Sequence, residues 1–160
     1  MILYHTSPEK IEKINKNRGP FSGALFFSDS PYYMSTASKN VYTVNVEDSD
    51  FIDLYDLDND AEIIEDIKHM FNALFDQDIN DDDAYDYLVE DIDIFSQDLD
   101  GELSSEFSWF LQGIQAKAAK KQGYLGVLSD DEQGAVWIIN MINKEHLLND
   151  ISNTAGDTNE

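Results

Sequence analysis

Residues 107–141, FSWFLQGIQAKAAKKQGYLGVLSDDEQGAVWIINM, carry the pattern from which the fold is predicted. Apolar side chains three or four positions apart predict a helix, with an apolar stripe of Phe107, Phe110, Leu111, Ile114 and Ala118. We expect the helix to end at Lys120-Lys121-Gln122-Gly123, because basic residues and a following glycine are typical of helix ends. The pattern then predicts a strand over Tyr124–Leu128, a turn from Ser129 to Gly134 and a returning strand over Ala135–Met141.

The N-terminal part of the chain predicts further strands and short helices. Apolar runs predict strands at residues 2–5, at Ala24–Phe27 and around Val41, Val44 and Val46. Ser7-Pro8-Glu9 and Ser30-Pro31 each combine a capping hydroxyl with a proline, which is typical of a helix start. In the first of these helices, Ile11 and Ile14 are expected to face inward.

The middle of the chain predicts two more helices by the same spacing rule. The apolar stripe of the first contains Ile63, Ile64, Ile67, Phe71, Leu74 and Phe75, and that of the second contains Tyr85, Leu88, Ile92 and Phe95. Strands at both ends with helices between them predict an α+β fold. We expect one domain over residues 1–149, with an acidic helical insertion at about residues 53–106 and a flexible polar tail over residues 150–160.

The charge of the chain is strongly negative and unevenly distributed. Among 160 residues there are 33 acidic and 10 basic side chains, for a net charge of −23. Residues 46–106 alone carry 23 acidic side chains and a single basic one, Lys68. Such a surface argues against direct binding to nucleic acid or to an anionic membrane.

Other features of the composition indicate the cellular setting. The chain has no cysteine, which excludes disulfides and a thiol nucleophile. Its first five residues lack the basic and apolar regions of a signal peptide, and no apolar run has the length of a membrane span. We therefore expect a soluble cytoplasmic protein.

The acidic region has two functional interpretations beyond a solvated surface. Asp76-x-Asp78-x-Asn80 has the first spacings of an EF-hand calcium loop, but Asp81 replaces the required glycine and Tyr87 replaces the final glutamate. We therefore predict no metal site. The carboxylates could instead imitate a DNA backbone and occupy the basic groove of a DNA-binding partner. This decoy and a merely soluble helical surface both remain open, since charge runs are nonspecific.

Four segments, in this order, resemble ADP-ribosyltransferase-fold proteins. They are Leu3-Tyr4-His5-Thr6-Ser7, then Gly23–Tyr33 (GALFFSDSPYY), then Gly123-Tyr124-Leu125-Gly126-Val127, then Asp131–Trp137 (DEQGAVW). The resemblance is strongest to phage anti-CRISPR members that modify a type I-F CRISPR surveillance complex. It covers most of residues 2–141, and the combination and order of the segments carry it. Taken alone, His5 is typical of a hydrogen-bonded structural histidine, and Asp130–Gly134 is typical of a polar hairpin turn.

The resemblance implies a binding site for NAD as co-substrate. By position, His5 binds the adenosine-side ribose, the backbone of Thr6 holds the nicotinamide amide, and Ser7 braces the strand end. Family members usually have glycine where this chain has Thr6. The nicotinamide pocket is implied to be lined by Phe27, Ser28 and either Tyr32 or Tyr33. Candidate partners for the phosphates are the Ser30-Pro31 helix start, Arg18 and Lys39.

The resemblance also implies the catalytic acid. Asp131 matches the key acidic residue, and Trp137 is implied to support its turn. A carboxylate beside the ribose can stabilise the positive charge that develops when the nicotinamide bond breaks. Strand alternation leaves an alternative open, because Asp130 and Glu132 would share a face opposite Asp131 if the chain is still a strand there. We rank Asp131 first and Glu132 second.

Three functional hypotheses follow from these residues. The first is a mono-ADP-ribosyltransferase that modifies a host protein, with a CRISPR-Cas surveillance complex as the candidate target and the host cytoplasm as its location. The second is a non-catalytic acidic decoy that binds a basic partner through clusters such as Asp81-Asp82-Asp83. The third is an enzyme that uses the same residues to transfer ADP-ribose to water.

Overall fold

The computed structural model describes residues 1–7, 11, 14, 23–29, 40–131 and 134–151. The strands in this part of the chain are β1 (Ile2–Ser7), β2 (Ala24–Phe27), β3 (Asn40–Asn45), β4 (Phe51–Asp53), β5 (Gly126–Asp131), β6 (Gly134–Asn140) and β7 (Asn149–Asp150). The helices are α1 (Ala61–Phe75), α2 (Asp81–Leu88) and α3 (Gly101–Lys121), with single 3-10 turns at Asp48–Asp50, Leu54–Asp56, Ile94–Ser96 and Glu145–Leu147. The fold is α+β, as the sequence predicts.

The strands form two sheets. The first has the order β1-β3-β7 and the second has the order β2-β6-β5-β4. Neighbouring strands are antiparallel except for the parallel pair β4 and β5. The sheets meet where β1 lies beside β2, because the backbones of Tyr4 and Ser28 exchange hydrogen bonds of 2.8 and 2.9 Å.

The second sheet is buried on both faces by alternate residues of its strands. One face packs against the three helices through Ala24, Ile52, Val127 and Ile138, and we call this cluster the helix-side core. The other face contributes Leu25, Phe27, Trp137 and Ile139, which pack with Leu3, Tyr42 and Val44 of the first sheet. We call this second cluster the inter-sheet core.

Two predicted helices are confirmed. In α1 the predicted stripe is buried at Ile63, Ile64, Ile67 and Phe71, and Asp60 caps the helix by accepting a hydrogen bond from the Ile63 N–H at 3.1 Å. The α3 helix ends as predicted, with Lys120 and Lys121 in its last turn and Gly123 at a φ of +91°.

The prediction of one helix through Tyr85, Leu88, Ile92 and Phe95 is wrong. The α2 helix ends at Leu88, and Glu90 then adopts a left-handed φ of +61°, which turns the chain out of the helix. Asp93 starts a separate 3-10 turn by accepting a hydrogen bond from the Phe95 N–H at 3.0 Å, and Phe95 itself is 61% exposed. The turn at Glu90 and the cap by Asp93 end the helix and start a new turn, although the apolar spacing continues.

The C-terminal hairpin is confirmed, but its turn is shorter than predicted. Strand pairing continues through Asp130 and Asp131, which lie opposite Ala135 and Gly134, so Ser129–Asp131 are strand rather than turn. The short strand β4 was not predicted; it adds Phe51 beside Gly126. The helices predicted at Ser7-Pro8 and Ser30-Pro31 lie outside the described residues, whereas Ile11 and Ile14 are buried as expected.

Candidate functional site

His5 lies where the two sheets meet. Its Nδ1 is 2.8 Å from the Phe26 carbonyl oxygen, which can only accept a hydrogen bond. The neutral imidazole therefore carries its proton on Nδ1 and presents Nε2 as an acceptor. The ring also packs against Phe27, with 5.6 Å between ring centroids. The interpretation of His5 as a hydrogen-bonded residue agrees with this contact.

Phe27 lies beside His5, and Ser28 pairs with the neighbouring Tyr4. Phe27 is only 1% exposed and pairs across the sheet with Trp137, which is 8% exposed. Both rings belong to the inter-sheet core. Phe27 therefore contacts the His5 imidazole from the core. Ser28 is half-buried and its backbone is bonded to Tyr4. The proposed contact of Phe27 and Ser28 with nicotinamide stays a prediction.

The backbone of Thr6 points toward the side of β1 that meets β2. Residues of an antiparallel pair alternate between hydrogen-bonded and non-hydrogen-bonded positions. Tyr4 directs both its N–H and its C=O to Ser28, so Thr6, two residues later, has the same orientation. The Val41 carbonyl opposite Thr6 bonds Ile151 on the far side, which agrees with this assignment. Ser7 is buried, pairs with Asn40 and closes the end of β1.

Asp130 and Asp131, two of the candidate catalytic acids, end strand β5 in the β5–β6 hairpin. Along β5, Asp131 is three residues beyond Leu128. Leu128 pairs with Trp137 of β6, and Trp137 pairs with Phe27 of β2. From the usual spacings of residues and strands, the backbone of Asp131 lies roughly 10 Å from Phe27 along the strands and roughly 10 Å from it across them. Asp130 is exposed and, by alternation, shares the face of Leu128, which packs on the inter-sheet core. Because the chain is still a strand at Asp130, the alternation argument that makes Asp130 a candidate catalytic acid applies.

Several predicted site residues lie outside the described residues. These are Tyr32, Tyr33, Glu132, Arg18, Lys39 and the Ser30-Pro31 helix start. Their roles stay predictions. In the described ranges no helix is long and apolar enough to cross a bilayer, and no group of His, Asp or Glu side chains is arranged to hold a metal ion.

Glu90 is a residue near the hairpin that the sequence did not point to. Together with Gln112, Gln115, Ser129 and Asp130 it lines a small cavity of about 80 Å³. Partial burial of its carboxyl, and the charge of Asp93, raise the pKa of Glu90, while a hydrogen bond to Ser129 acts in the opposite direction. Its left-handed backbone could not have been recognised from sequence, because glutamate is not a residue that favours that conformation.

The acidic helical region presents carboxylates on its solvent side. The first turn of α2 holds Asp81, Asp82 and Asp83, of which the first two are exposed. Some carboxylates at the edge of this surface are paired: Lys121 lies 2.9 Å from Asp60 and 3.0 Å from Glu62. These hydrogen bonds lower the pKa of both acids. Three large apolar side chains of the described residues between 55 and 109 are also exposed, namely Tyr55, Phe95 and Trp109.

The fold is similar to that of a solved structure. It is described as the crystal structure of an anti-CRISPR protein, and it superposes with a TM-score of 0.51 over 87% of this chain and 88% of that chain. The two sequences are 21% identical, so the likeness concerns the fold. No family model matches the chain, and no curated protein matches it.

Proposed function

We propose that the protein is an anti-CRISPR protein that acts as an NAD-dependent mono-ADP-ribosyltransferase on a host protein. The anti-defence part of the proposal is supported by the fold shared with the anti-CRISPR structure over most of both chains. The enzymatic part is supported by the surface at which β1 meets β2, formed by His5, Thr6 and Ser28 above the buried ring of Phe27. We call this surface the β1–β2 edge, and it is the observation that carries the proposal.

The chemical groups of the β1–β2 edge suit the two ends of NAD that the resemblance assigns to them. Nε2 of His5 is a hydrogen-bond acceptor, which a ribose hydroxyl can donate to. The N–H and the C=O of Thr6 are directed to the same side of β1, and such a donor and acceptor are the complement of a primary amide like that of nicotinamide. Buried Phe27 holds the imidazole in place, so the acceptor is preorganised.

The proposed reaction breaks the bond between the nicotinamide nitrogen and the ribose carbon, and nicotinamide leaves with the electron pair. A nucleophilic side chain of the target forms the new bond to that carbon and loses its proton to water. An ionised carboxylate next to the ribose stabilises the positive charge of the transition state. Asp131 is the first candidate for this carboxylate, with Asp130 and Glu132 as the alternatives that strand alternation leaves.

The decisive experiment incubates the purified protein with labelled NAD and a lysate of a CRISPR-bearing bacterium. We expect a discrete labelled protein band that is lost in Asp131→Ala and in His5→Ala. Asp98→Ala is a matched control, because Asp98 is an exposed acid far along the chain from both candidate regions. Removal of an electrostatic contact of this kind typically lowers the rate by about 10²–10³-fold.

The outcomes of this experiment separate the hypotheses. Full labelling by Asp131→Ala with loss in Asp130→Ala would transfer the catalytic role to Asp130. Consumption of NAD without a labelled band would identify transfer to water. Intact NAD in the presence of the folded protein would contradict the enzymatic proposal and leave the anti-CRISPR one standing.

The acidic surface favours a second candidate function, a decoy for a DNA-binding partner. Its specific support is the row of three carboxylates at the start of α2, two of them exposed, in a region of 61 residues that has a single basic side chain. Simultaneous replacement of Asp81, Asp82 and Asp83 by asparagine should then abolish inhibition, whereas Asp131→Ala should not. Binding of the partner should also weaken steeply with added salt. Inhibition that survives the triple replacement would contradict the decoy.

A further inference from the structure

A groove of about 240 Å³ lies between the 3-10 turn Ile94–Ser96 and α3, on the helix side of the second sheet. Its apolar surface is formed by Ile92, Ile94, Phe95 and Leu111. The rest of its lining is polar and consists of Glu90, Asp93 and Ser108. The groove is smaller than the usual site of a small molecule, so its size suits one or two side chains of a protein partner.

Phe95 is exposed at this groove although the backbone that carries it is fixed. Oδ1 of Asp93 accepts a hydrogen bond from the Phe95 N–H at 3.0 Å, and Oδ2 accepts one from the Ser96 hydroxyl at 3.0 Å. The side-chain amide of Gln97 donates to the Asp93 carbonyl at 3.2 Å. The ring is nevertheless 61% exposed, which forgoes the stability that its burial would contribute. A preorganised, exposed aromatic ring is typical of an anchor residue in a protein–protein interface.

The two carboxylates that line the groove have no cation beside them. Within the described ranges, neither Glu90 nor Asp93 is in an ion pair. Residues 69–116, which supply the whole lining, contain 13 acidic side chains and no lysine or arginine. Burial, and the charge of Asp93, raise the pKa of Glu90, which agrees with two carboxylates at one groove. A cation placed between them would relieve their repulsion.

We propose that this groove docks a protein partner that presents an arginine next to an apolar side chain. The apolar side chain lies against Ile92 and Leu111, and the guanidinium stacks on Phe95 and bonds to Glu90 and Asp93. Lysine fits less well, because only the planar guanidinium both stacks on a ring and binds carboxylates through paired hydrogen bonds.

Charge complementarity selects this occupant. A second copy of this chain, a nucleic acid and an anionic membrane are all repelled by a protein of net charge −23. The groove also differs from the two sites proposed above. It lies on the helix side of the second sheet, whereas Phe27 belongs to the inter-sheet core, and its lining does not include Asp81-Asp82-Asp83.

The test titrates the isotope-labelled protein with the blocked tripeptide acetyl-Leu-Arg-Leu-amide and follows the amide resonances. Two further tripeptides replace the arginine by lysine, which keeps the charge, or by citrulline, which keeps the shape without the charge. We expect saturable binding of the arginine peptide, with shift changes centred on Phe95, Ser108 and Leu111. The citrulline peptide should bind about fivefold more weakly because it forms no ion pairs. Lysine should lie between the two.

Two variants remove the two kinds of contact separately. Phe95→Ala should weaken the arginine peptide by about threefold, because the stacking of the guanidinium is lost. Glu90→Gln should weaken it by a similar factor of about three and leave the citrulline peptide unchanged. Near-ultraviolet circular dichroism checks that both variants keep their tertiary packing.

The 3-10 turn Leu54–Asp56 supplies a matched control for each variant, because neither of its exposed residues lines the groove. Tyr55→Ala removes a ring that is 67% exposed, and Asp56→Asn removes an exposed carboxylate. Neither should weaken the arginine peptide at about 0.15 M salt, where distant exposed charges are screened.

Three results would overturn the proposal. They are equal binding of the arginine and citrulline peptides, shift changes spread over the whole acidic surface, and losses in the control variants equal to those in Phe95→Ala and Glu90→Gln. Absence of saturable binding would do the same. Peptide binding needs no NAD, whereas the labelling experiment does, so this inference and the proposed enzymatic function can fail separately.

Discussion

The helix-side core and the inter-sheet core bury opposite faces of one sheet, yet they are built in different ways. The helix-side core takes most of its side chains from the helices and turns between Ile52 and Ala119, including an aromatic cluster in which Phe107 contacts Phe71, Phe75 and Tyr87 at centroid distances of 5.3 to 6.0 Å. The inter-sheet core joins side chains from distant strands, such as Leu3, Phe27 and Trp137. The candidate enzymatic site lies at the margin of the second core, whereas the acidic surface covers the first.

This difference explains what the sequence could predict. Helical stripes such as that of α1 were read correctly because the spacing of Ile63, Ile67 and Phe71 is itself the packing pattern. The prediction of a helix through Ile92 failed because the left-handed backbone at Glu90 does not change the spacing of apolar residues in the sequence. Pairing of β1 with β2 depends on strand register between distant segments, so the contact of His5 with Phe27 was not predicted, and only the resemblance assigned both residues to the same NAD site.

The largest expected effect is at the centre of the helix-side core. Phe107→Ala removes a fully buried ring and should lower the free energy of unfolding by about 3–5 kcal/mol. Phe95→Ala is the matched control, because Phe95 is 61% exposed and its loss should change stability by less than about 0.5 kcal/mol. Urea titration followed by tryptophan fluorescence measures both. In a Trp109→Phe background the fluorescence reports only Trp137 of the inter-sheet core, so separate transitions for this signal and for the helical signal would show that the two cores unfold independently.

A smaller effect is expected at Gly126, where β5 is held between β4 and β6. A Cβ added there would lie 2.9 Å from the Phe51 ring and also too close to the Ile138 carbonyl oxygen of β6, so the strand must shift. Gly126→Ala should therefore cost about 1–3 kcal/mol of unfolding free energy. Gly101→Ala has nothing within 4 Å of the added carbon and should instead stabilise the first turn of α3 by about 0.4–1 kcal/mol. Equal effects of the two variants would refute this steric explanation.

The next effect concerns the N-terminal cap of α3, on the helix side of the second sheet. Asp100 caps α3 by accepting hydrogen bonds from the N–H groups of Glu102 and Leu103, both at 3.0 Å. Asp100→Ala should cost about 1 kcal/mol, and Asp100→Ser should recover most of it because serine is also a good cap. Thermal melting measures the loss. The amide and imidazole resonances of His5 should not move, and a shift there would mean that the two faces of the sheet are coupled.

The smallest effect tests Glu90, whose carboxylate is hydrogen-bonded to Ser129 of the hairpin. The pKa of Glu90 is raised above its ordinary value of 4.5, so the folded chain binds the proton more tightly than the unfolded chain does. Stability contributed by this group is therefore lost as pH rises from 4.5 through the raised pKa. Glu90→Gln cannot ionise, so it should be more stable than the parent protein at pH 7, and the difference should shrink below pH 4.5.

Two features of the chain require a control for this last variant. Asp60 and Glu62 have lowered pKa values, so their contribution is lost in the opposite direction, as pH falls, and is common to both proteins. Removal of any negative charge also relieves repulsion in a chain of net charge −23. Asp98→Asn makes the same charge change at an exposed acid, so only the excess of Glu90→Gln over Asp98→Asn belongs to the site beside Ser129. An excess at pH 7 would mean that the ionised carboxylate of Glu90 lowers the stability of the protein beside the hairpin that carries Asp130 and Asp131. Protonation of Glu90 would then relieve this cost.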